Sequence, residues 1–188
     1  MSAAHVDTGA LTLALAHLRD APRLEGTVEM IVRRPEDGAR EILDEGVLDL
    51  DAGLVGDNWL PRGSRHTPDG AAHPLMQLNV TSARMTALLA DTPERRALAG
   101  DQFHLDLDLS VGHLPAGSRL AMGTALIEVT SRPHTGCAKF RERFGDDALR
   151  FVNSEVGKEL RLRGLCAGVV HGGTVRAGDL VTVVAAEA

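Results

Sequence analysis

Short strand-like runs separated by turn residues are the feature that most limits the folds open to this chain. The clearest run extends from Phe103 to Leu109, where apolar side chains alternate with His104, Asp106 and Asp108. This alternation with a period of two predicts a half-buried strand whose polar side faces solvent. Because 20 glycines and 8 prolines supply many tight turns between such runs, the sequence predicts a mainly β fold with a few short helices, closed as a barrel or strongly bent sheet.

The remaining elements follow from local patterns. Apolar residues spaced three and four apart predict an N-terminal helix between Thr8 and Arg19, and the cap, proline and acid at 92–94 are typical of a helix start. Further helices are predicted at 83–90, 139–144 and 147–152, and further strands at 26–33, 40–50, 75–80, 118–122, 125–130, 165–170 and 180–184. The polar stretch 61–74 is expected to be a long loop, and its length makes it a candidate functional segment. We therefore expect a helical extension at 1–22 and one barrel domain at 23–188.

Composition excludes several classes of function. A formal charge of −6 leaves no basic excess for nucleic-acid phosphates. The sequence has no secretory signal and no apolar run of the roughly 18 residues that a membrane helix needs, so we expect a cytoplasmic protein that contacts neither membranes nor nucleic acid. Two cysteines are too few for a disulfide scaffold, and free thiols are expected.

The segment 131–140, SRPHTGCAKF, carries the strongest chemical signal. A thiol reacts as its thiolate, which nearby cations, a histidine or a helix start favour, and Arg132, His134 and Lys139 lie close to Cys137 in sequence. Gly136 would let the backbone approach a ligand or adopt a positive φ. The alternative is that Cys137 is a small buried apolar residue, as expected for Cys166 within its apolar run.

Five stretches together resemble the MOSC domain, the family named for the C-terminal domain of molybdenum-cofactor sulfurase. They read GLVGD at 53–57, PAGSRLAMG at 115–123, LIEVT at 126–130, RGLCAGVV at 163–170 and GTVRAGD at 173–179. The resemblance covers roughly 53–184 and includes the cysteine loop. It departs from the common pattern at Gly136, where a proline is usual, and at 65–73, where His-Gly-Gly ahead of a lysine is usual.

The resemblance implies a stand-alone MOSC-type β-barrel whose key cysteine, here Cys137, carries sulfur or ligates the molybdenum of a bound molybdenum cofactor (molybdopterin). Several relatives reduce N-hydroxylated compounds, so a small-molecule ligand and a redox partner, or a cysteine desulfurase that uses pyridoxal phosphate, are the implied partners. A pterin phosphate needs cations, hydroxyls and N–H groups. The candidates for this role are Arg65, His66, Arg84, Arg132, His134 and Thr135, with Asn79 and Ser82 behind them.

Other readings stay open. The altered loop at 65–73 favours a non-catalytic barrel that binds a small anionic ligand or a partner protein, so enzyme activity is not fixed by the sequence. Zinc at His134, Cys137 and His171 is disfavoured because structural zinc normally has four ligands, often with a cysteine pair. Asp106 and Asp108 are better explained as the solvent face of a strand than as an acid/base pair.

Overall fold

The computed structural model describes residues 5–184, with eleven strands and seven α-helices in that range. The strands are β1 (Glu25–Arg33), β2 (Glu41–Leu43), β3 (Glu45–Asp49), β4 (Gly53–Leu54), β5 (Leu78–Ser82), β6 (Phe103–Asp106), β7 (Arg119–Met122), β8 (Ala125–Val129), β9 (Leu165–His171), β10 (Gly173–Arg176) and β11 (Leu180–Val184). The helices are α1 (Thr8–Leu13), α2 (Leu15–Arg19), α3 (Trp59–Arg62), α4 (Ala83–Leu89), α5 (Pro93–Ala97), α6 (Ala138–Asn153) and α7 (Glu155–Glu159).

Seven strands close into a barrel in the order β1-β11-β7-β8-β9-β5-β6, and β6 pairs with β1 to complete the ring. Only the β5–β6 pair is parallel; the other six contacts around the ring are antiparallel. Alternate side chains fill the interior, including Val28, Leu105 and Ile127, none of which is exposed. The expected mainly β, MOSC-type barrel with short helices is therefore confirmed.

A second sheet of three strands, β10-β3-β4, flanks the barrel. The single strand predicted at 40–50 is two strands: β2 pairs with β1, and β3 turns away after Asp44 to pair with β10. Strand β10 was not predicted, because it begins at the second of two consecutive glycines, Gly172 and Gly173, in what the sequence indicates as a turn. At 75–80 the strand begins only at Leu78, after a 3₁₀ helix at Pro74–Met76.

The polar side of β6 differs from the prediction. His104 is 1% exposed, because α4 lies over this face and Thr86 Oγ1 is 3.0 Å from His104 Nδ1. Asp106 bonds Arg84 rather than facing open solvent. The solvent-face interpretation was wrong for His104, since a helix covers the strand there.

The helices form a second apolar cluster beside the barrel. Leu11 and Leu18 from α1 and α2 pack with Phe144 of α6, so the predicted N-terminal helix contributes to this cluster. Helix α6 is broken at Gly145, whose φ of 90° and ψ of 172° separate the two helices that the sequence predicts. The outer bounds of the expected segments 1–22 and 23–188 lie outside the described residues. Across 5–184, no helix has the length and apolar character needed to cross a bilayer.

Candidate functional site at Cys137

Cys137 ends an irregular loop that starts where β8 stops, and α6 begins at the next residue. The Cys137 side chain is exposed, which excludes the reading as a buried apolar residue. Gly136 has a role other than those expected: Asn153 Oδ1 accepts a bond from its N–H at 2.9 Å, and a Cβ at Gly136 would stand 2.8 Å from Leu149 Cδ1. The glycine therefore lets the loop pack closely against the second half of α6, and its φ is not among the positive ones.

Cys137 borders a cavity of about 180 Å³ with a strongly basic lining. Two carboxylates, Glu36 and Asp37, line it as well. The cationic lining residues, two of which belong to α6, are Arg34, Arg40, Arg62, Lys139, Arg143 and Arg163. In a protein of net charge −6, this is a local concentration of positive charge, which favours an anionic ligand. We call it the Cys137 cavity.

One wall of the Cys137 cavity is fixed by a buried ion pair. Arg34 binds Asp57 through two contacts, Nε to Oδ2 at 2.8 Å and Nη2 to Oδ1 at 2.7 Å, and both side chains are almost fully buried. Arg34 also donates to the carbonyl of Gly100 at 3.0 Å. Most N–H donors of the Arg34 guanidinium are therefore bonded to the Asp57 carboxylate and the Gly100 carbonyl. Arg34 mainly stabilises the wall of the cavity.

A second buried network lies behind the cysteine loop. Asp101, which is fully buried, accepts from Arg163 Nη1 and from His134 Nε2, each at 2.6 Å. Burial would raise the pKa of Asp101, but the charge of Arg163 and the contact with His134 hold it well below its usual range. Burial, with Arg163 adding to it, lowers the pKa of His134, so at neutral pH its imidazole is neutral and donates from Nε2. The network anchors the loop three residues before Cys137.

Three arginines that line the Cys137 cavity, Arg40, Arg62 and Arg143, have no carboxylate partner in the described part of the chain. Arg40 donates to the Ala39 carbonyl at 2.5 Å and Arg143 to that of Leu98 at 2.5 Å, and neither forms an ion pair. Burial and the neighbouring Arg143 lower the pKa of Arg40 to about 10. It stays protonated at neutral pH, but its charge is poorly compensated. The buried Nε atoms of Arg40 and Arg163 also have no hydrogen-bond partner among residues 5–184.

The residues proposed from sequence are divided among several places. His134 borders the Cys137 cavity, as does Asn79. Arg132 and Thr135 line a different cavity, next to the same loop. Arg65 and His66 are exposed in the turn after α3 and line neither of these two cavities.

Arg84 is engaged elsewhere, bonding Asp106 at 2.6 Å and the carbonyl of His17 at 2.8 Å. Ser82 caps α4 by accepting from the Met85 N–H. The arginines that line the Cys137 cavity were not among the residues predicted from the sequence. The sequence offered only the number of its arginines as a signal, because no local pattern indicates that residues far apart in the chain lie close together in the fold.

Within residues 5–184, no group of three or more His, Cys, Asp or Glu side chains is arranged so that it could hold a metal ion. His171, considered for zinc, is exposed at the end of β9. Cys166 is fully buried, as expected for a core residue, and burial raises the pKa of its thiol to about 12.

Comparison with known proteins supports the fold. No family model matches the sequence, and no curated protein matches it. Among solved structures, the YuaD protein of Bacillus subtilis has a TM-score of 0.64 at 17% identity, covering 87% of this chain and 97% of that one. YiiM of Escherichia coli has a TM-score of 0.54 at 21% sequence identity, and the match covers 86% of this chain and 71% of that one. YiiM of Geobacillus stearothermophilus has a TM-score of 0.55 at 14% sequence identity, and the match covers 85% of this chain and 75% of that one. At these identities the likeness establishes a shared fold, which supports the MOSC resemblance.

Proposed function

We propose that this chain is a stand-alone MOSC-domain protein that acts through Cys137, either as a sulfur carrier or as the molybdenum-ligating residue of a cofactor-dependent oxidoreductase component. The observation that carries the proposal is an exposed thiol at the border of a cavity lined by six cationic side chains. The thiolate is the form of a cysteine that accepts sulfur or binds a soft metal, and both reactions require an accessible sulfur.

The chemistry of the Cys137 cavity fits the anionic end of a pterin cofactor. Arg40 and Arg143 have guanidinium groups without carboxylate partners, and the buried Nε of Arg40 lacks an acceptor. A phosphate group would supply charge and acceptors to both. With a volume of about 180 Å³, the cavity lies below the roughly 300 Å³ at which small-molecule sites begin. It would therefore enclose the phosphate and leave the rest of the cofactor over the rim, beside Cys137.

When bound, molybdenum cofactor supplies two-electron redox chemistry at the metal. This chain would contribute the Cys137 thiolate as a ligand, the arginines that hold the phosphate, and the Asp101–His134 contact that keeps the loop in place. The electrons for a reductase would come from a redox partner protein.

In the sulfur-carrier form, the Cys137 thiolate would attack the outer sulfur of a persulfide on a cysteine desulfurase. The donor's S–S bond breaks, the donor thiolate leaves, and a persulfide forms on Cys137, so no external oxidant is required. The exposure of Cys137 is a requirement of this step, because two protein chains must bring their sulfurs into contact.

The first test is molybdenum and pterin analysis of protein purified from a host that makes the cofactor. We expect both in the wild type and neither in Cys137→Ala, with Cys166→Ala as the matched control that keeps them. The thermal midpoint of Cys137→Ala should stay near that of the wild type, because the residue is exposed. If both are absent from all three proteins, persulfide detection on Cys137 after incubation with a desulfurase and cysteine decides whether the sulfur-carrier form survives.

A second candidate is a non-catalytic module that binds a small anion. The observation in its favour is that the unpaired guanidinium groups of Arg40 and Arg143 attract anions whether or not the thiol takes part. The test is inorganic phosphate binding by protein that carries no cofactor and no persulfide. This candidate is favoured if such protein binds phosphate, if Arg40→Met loses the binding, and if Cys137→Ala retains it.

A further inference from the structure

The loop 130–137 borders two cavities, and His134 is the one residue that lines both. The second cavity measures about 400 Å³ and is the larger. Its volume lies within the range of roughly 300–1,000 Å³ typical of small-molecule sites. We call it the Arg132 cavity, and nothing in the proposed function uses it.

The walls of the Arg132 cavity are largely apolar. Val111, Pro133, Val152 and Leu165 line it together with two glycines. Gly164 has a φ of 109°, and a Cβ there would stand 2.1 Å from the Val80 carbonyl oxygen, so no other residue fits this part of the wall. Such a lining excludes water from apolar groups of a ligand and favours a partly hydrocarbon body.

Every ionisable side chain on this cavity other than His134 is a cation: Arg132, Lys158 and Arg161. Arg132 and Lys158 form no ion pair with any residue in 5–184. Arg161 donates to the Leu114 carbonyl at 2.6 Å and has no carboxylate partner in the same range. Three cations without a bound carboxylate, beside apolar walls, match a ligand with one charged end.

The end of helix α7 fixes the position of Arg161 beside the cavity. Its φ of 47° makes it the single non-glycine residue with a positive φ in the described chain. This is the left-handed C′ position of a Schellman cap on α7, in which the Leu162 N–H donates to the Gly157 carbonyl at 2.8 Å and the Arg161 N–H to the Lys158 carbonyl at 3.2 Å. Here it accompanies the contact of the Arg161 guanidinium with Leu114, at the edge of the cavity.

We propose that the Arg132 cavity binds a small organic anion, a carboxylate or phosphate monoester with an apolar body. The hydrocarbon part contacts Val111, Val152 and Leu165, and the anionic group is bound by Arg132 and Lys158, with Arg161 beside them. This site does not depend on the chemistry proposed for Cys137.

The test is calorimetric titration with four octyl compounds that share one apolar body: octanoate, octyl phosphate, 1-octanol and octylammonium. We expect saturable binding of at least one anion, weaker binding of the alcohol and none of the amine. The two anions distinguish a carboxylate site from a phosphate site. In Arg132→Met/Lys158→Met the affinity for the anion should fall about tenfold or more, the usual effect of losing charge-assisted hydrogen bonds.

The matched control is Arg141→Met/Arg150→Met, which removes the same charge from exposed side chains that line neither cavity. It should keep the wild-type affinity, and so should Cys137→Ala, whatever the outcome of the cofactor analysis. The proposal is overturned if neither anion binds, if 1-octanol binds as tightly as the anions, or if both double variants lose affinity equally.

Discussion

Asp101→Asn should destabilise the protein strongly, because the carboxylate is the shared acceptor of two buried donors. Asp101 is fully buried, and its partners Arg163 and His134 have side chains only 7% and 11% exposed. An asparagine offers one oxygen in place of two and turns an NH₂ group toward one of the donors. The Arg163 guanidinium, whose Nε already lacks a partner, would then be a buried charge without a counterion.

Breaking a buried pair in this way costs about 3–5 kcal/mol. For a chain of this size each kcal/mol corresponds to about 2–4 °C in the thermal midpoint, so a fall of roughly 6–20 °C is expected. Denaturant unfolding can be followed by the fluorescence of Trp59, the single tryptophan, which is 6% exposed. The control Asp37→Asn removes an exposed pair with Lys139 and should leave the free energy of unfolding close to that of the wild type.

The effect of pH gives a second check on Asp101. The pKa of this carboxyl is lowered in the folded protein from its ordinary 3.8, so its stabilising contribution is complete above that value and is lost as the pH falls below it. The gap between wild type and Asp101→Asn should be widest near neutral pH and shrink below about pH 4. A gap under about 1 kcal/mol at neutral pH would refute the reasoning, as would a gap that stays constant in acid.

Three further predictions follow from individual side chains. Native protein should take one alkyl group, on Cys137, because burial raises the pKa of Cys166 to about 12; mass spectrometry showing two groups before unfolding would contradict this. Gly136→Ala should lower stability by about 1–3 kcal/mol, since its Cβ would overlap Leu149, and an unchanged thermal midpoint would count against the close packing. Burial lowers the pKa of His104 to about 4, so wild type should lose stability between pH 6.5 and 4 more steeply than His104→Phe, by roughly 3 kcal/mol in total; parallel denaturation midpoints for the two proteins over this range would show the prediction to be wrong.

The barrel could be predicted from sequence because its strands satisfy local rules. Phe103 and Leu105 alternate with polar residues, and the pattern alone places both in the core. The burial of His104 could not be predicted in the same way. An alternating pattern distinguishes the two faces of a strand, but it does not indicate which element packs on the polar face. The covering element is α4, which bonds His104 through Thr86, and that contact joins residues 18 apart in the chain.

Of the site, the sequence indicated the cysteine loop and little of its surroundings. Local charge predicted that Arg132 and Lys139 would flank the thiol, and Lys139 does line its cavity while Arg132 lines the neighbouring one. Arg40 and Arg143 are more than 100 positions apart and converge only because the barrel and the helical cluster pack together. The length of the polar stretch 61–74 made it a candidate functional segment, but Arg62 is the one residue of this stretch that lines the Cys137 cavity.

Carboxylate partners divide the arginines around the Cys137 cavity into two sets. Arg34 and Arg163 have carboxylate partners buried behind the wall, so their charges are compensated and their positions fixed. Arg40 and Arg143 have carbonyl partners only, and Arg62 forms no ion pair within residues 5–184. A folded chain of net charge −6 attracts no anion over long distances, and salt screens what field remains beyond about 10 Å. The anion recognition proposed for the Cys137 cavity would therefore come from the uncompensated donors acting at contact, so Arg40→Met should weaken phosphate binding far more than loss of an exposed arginine.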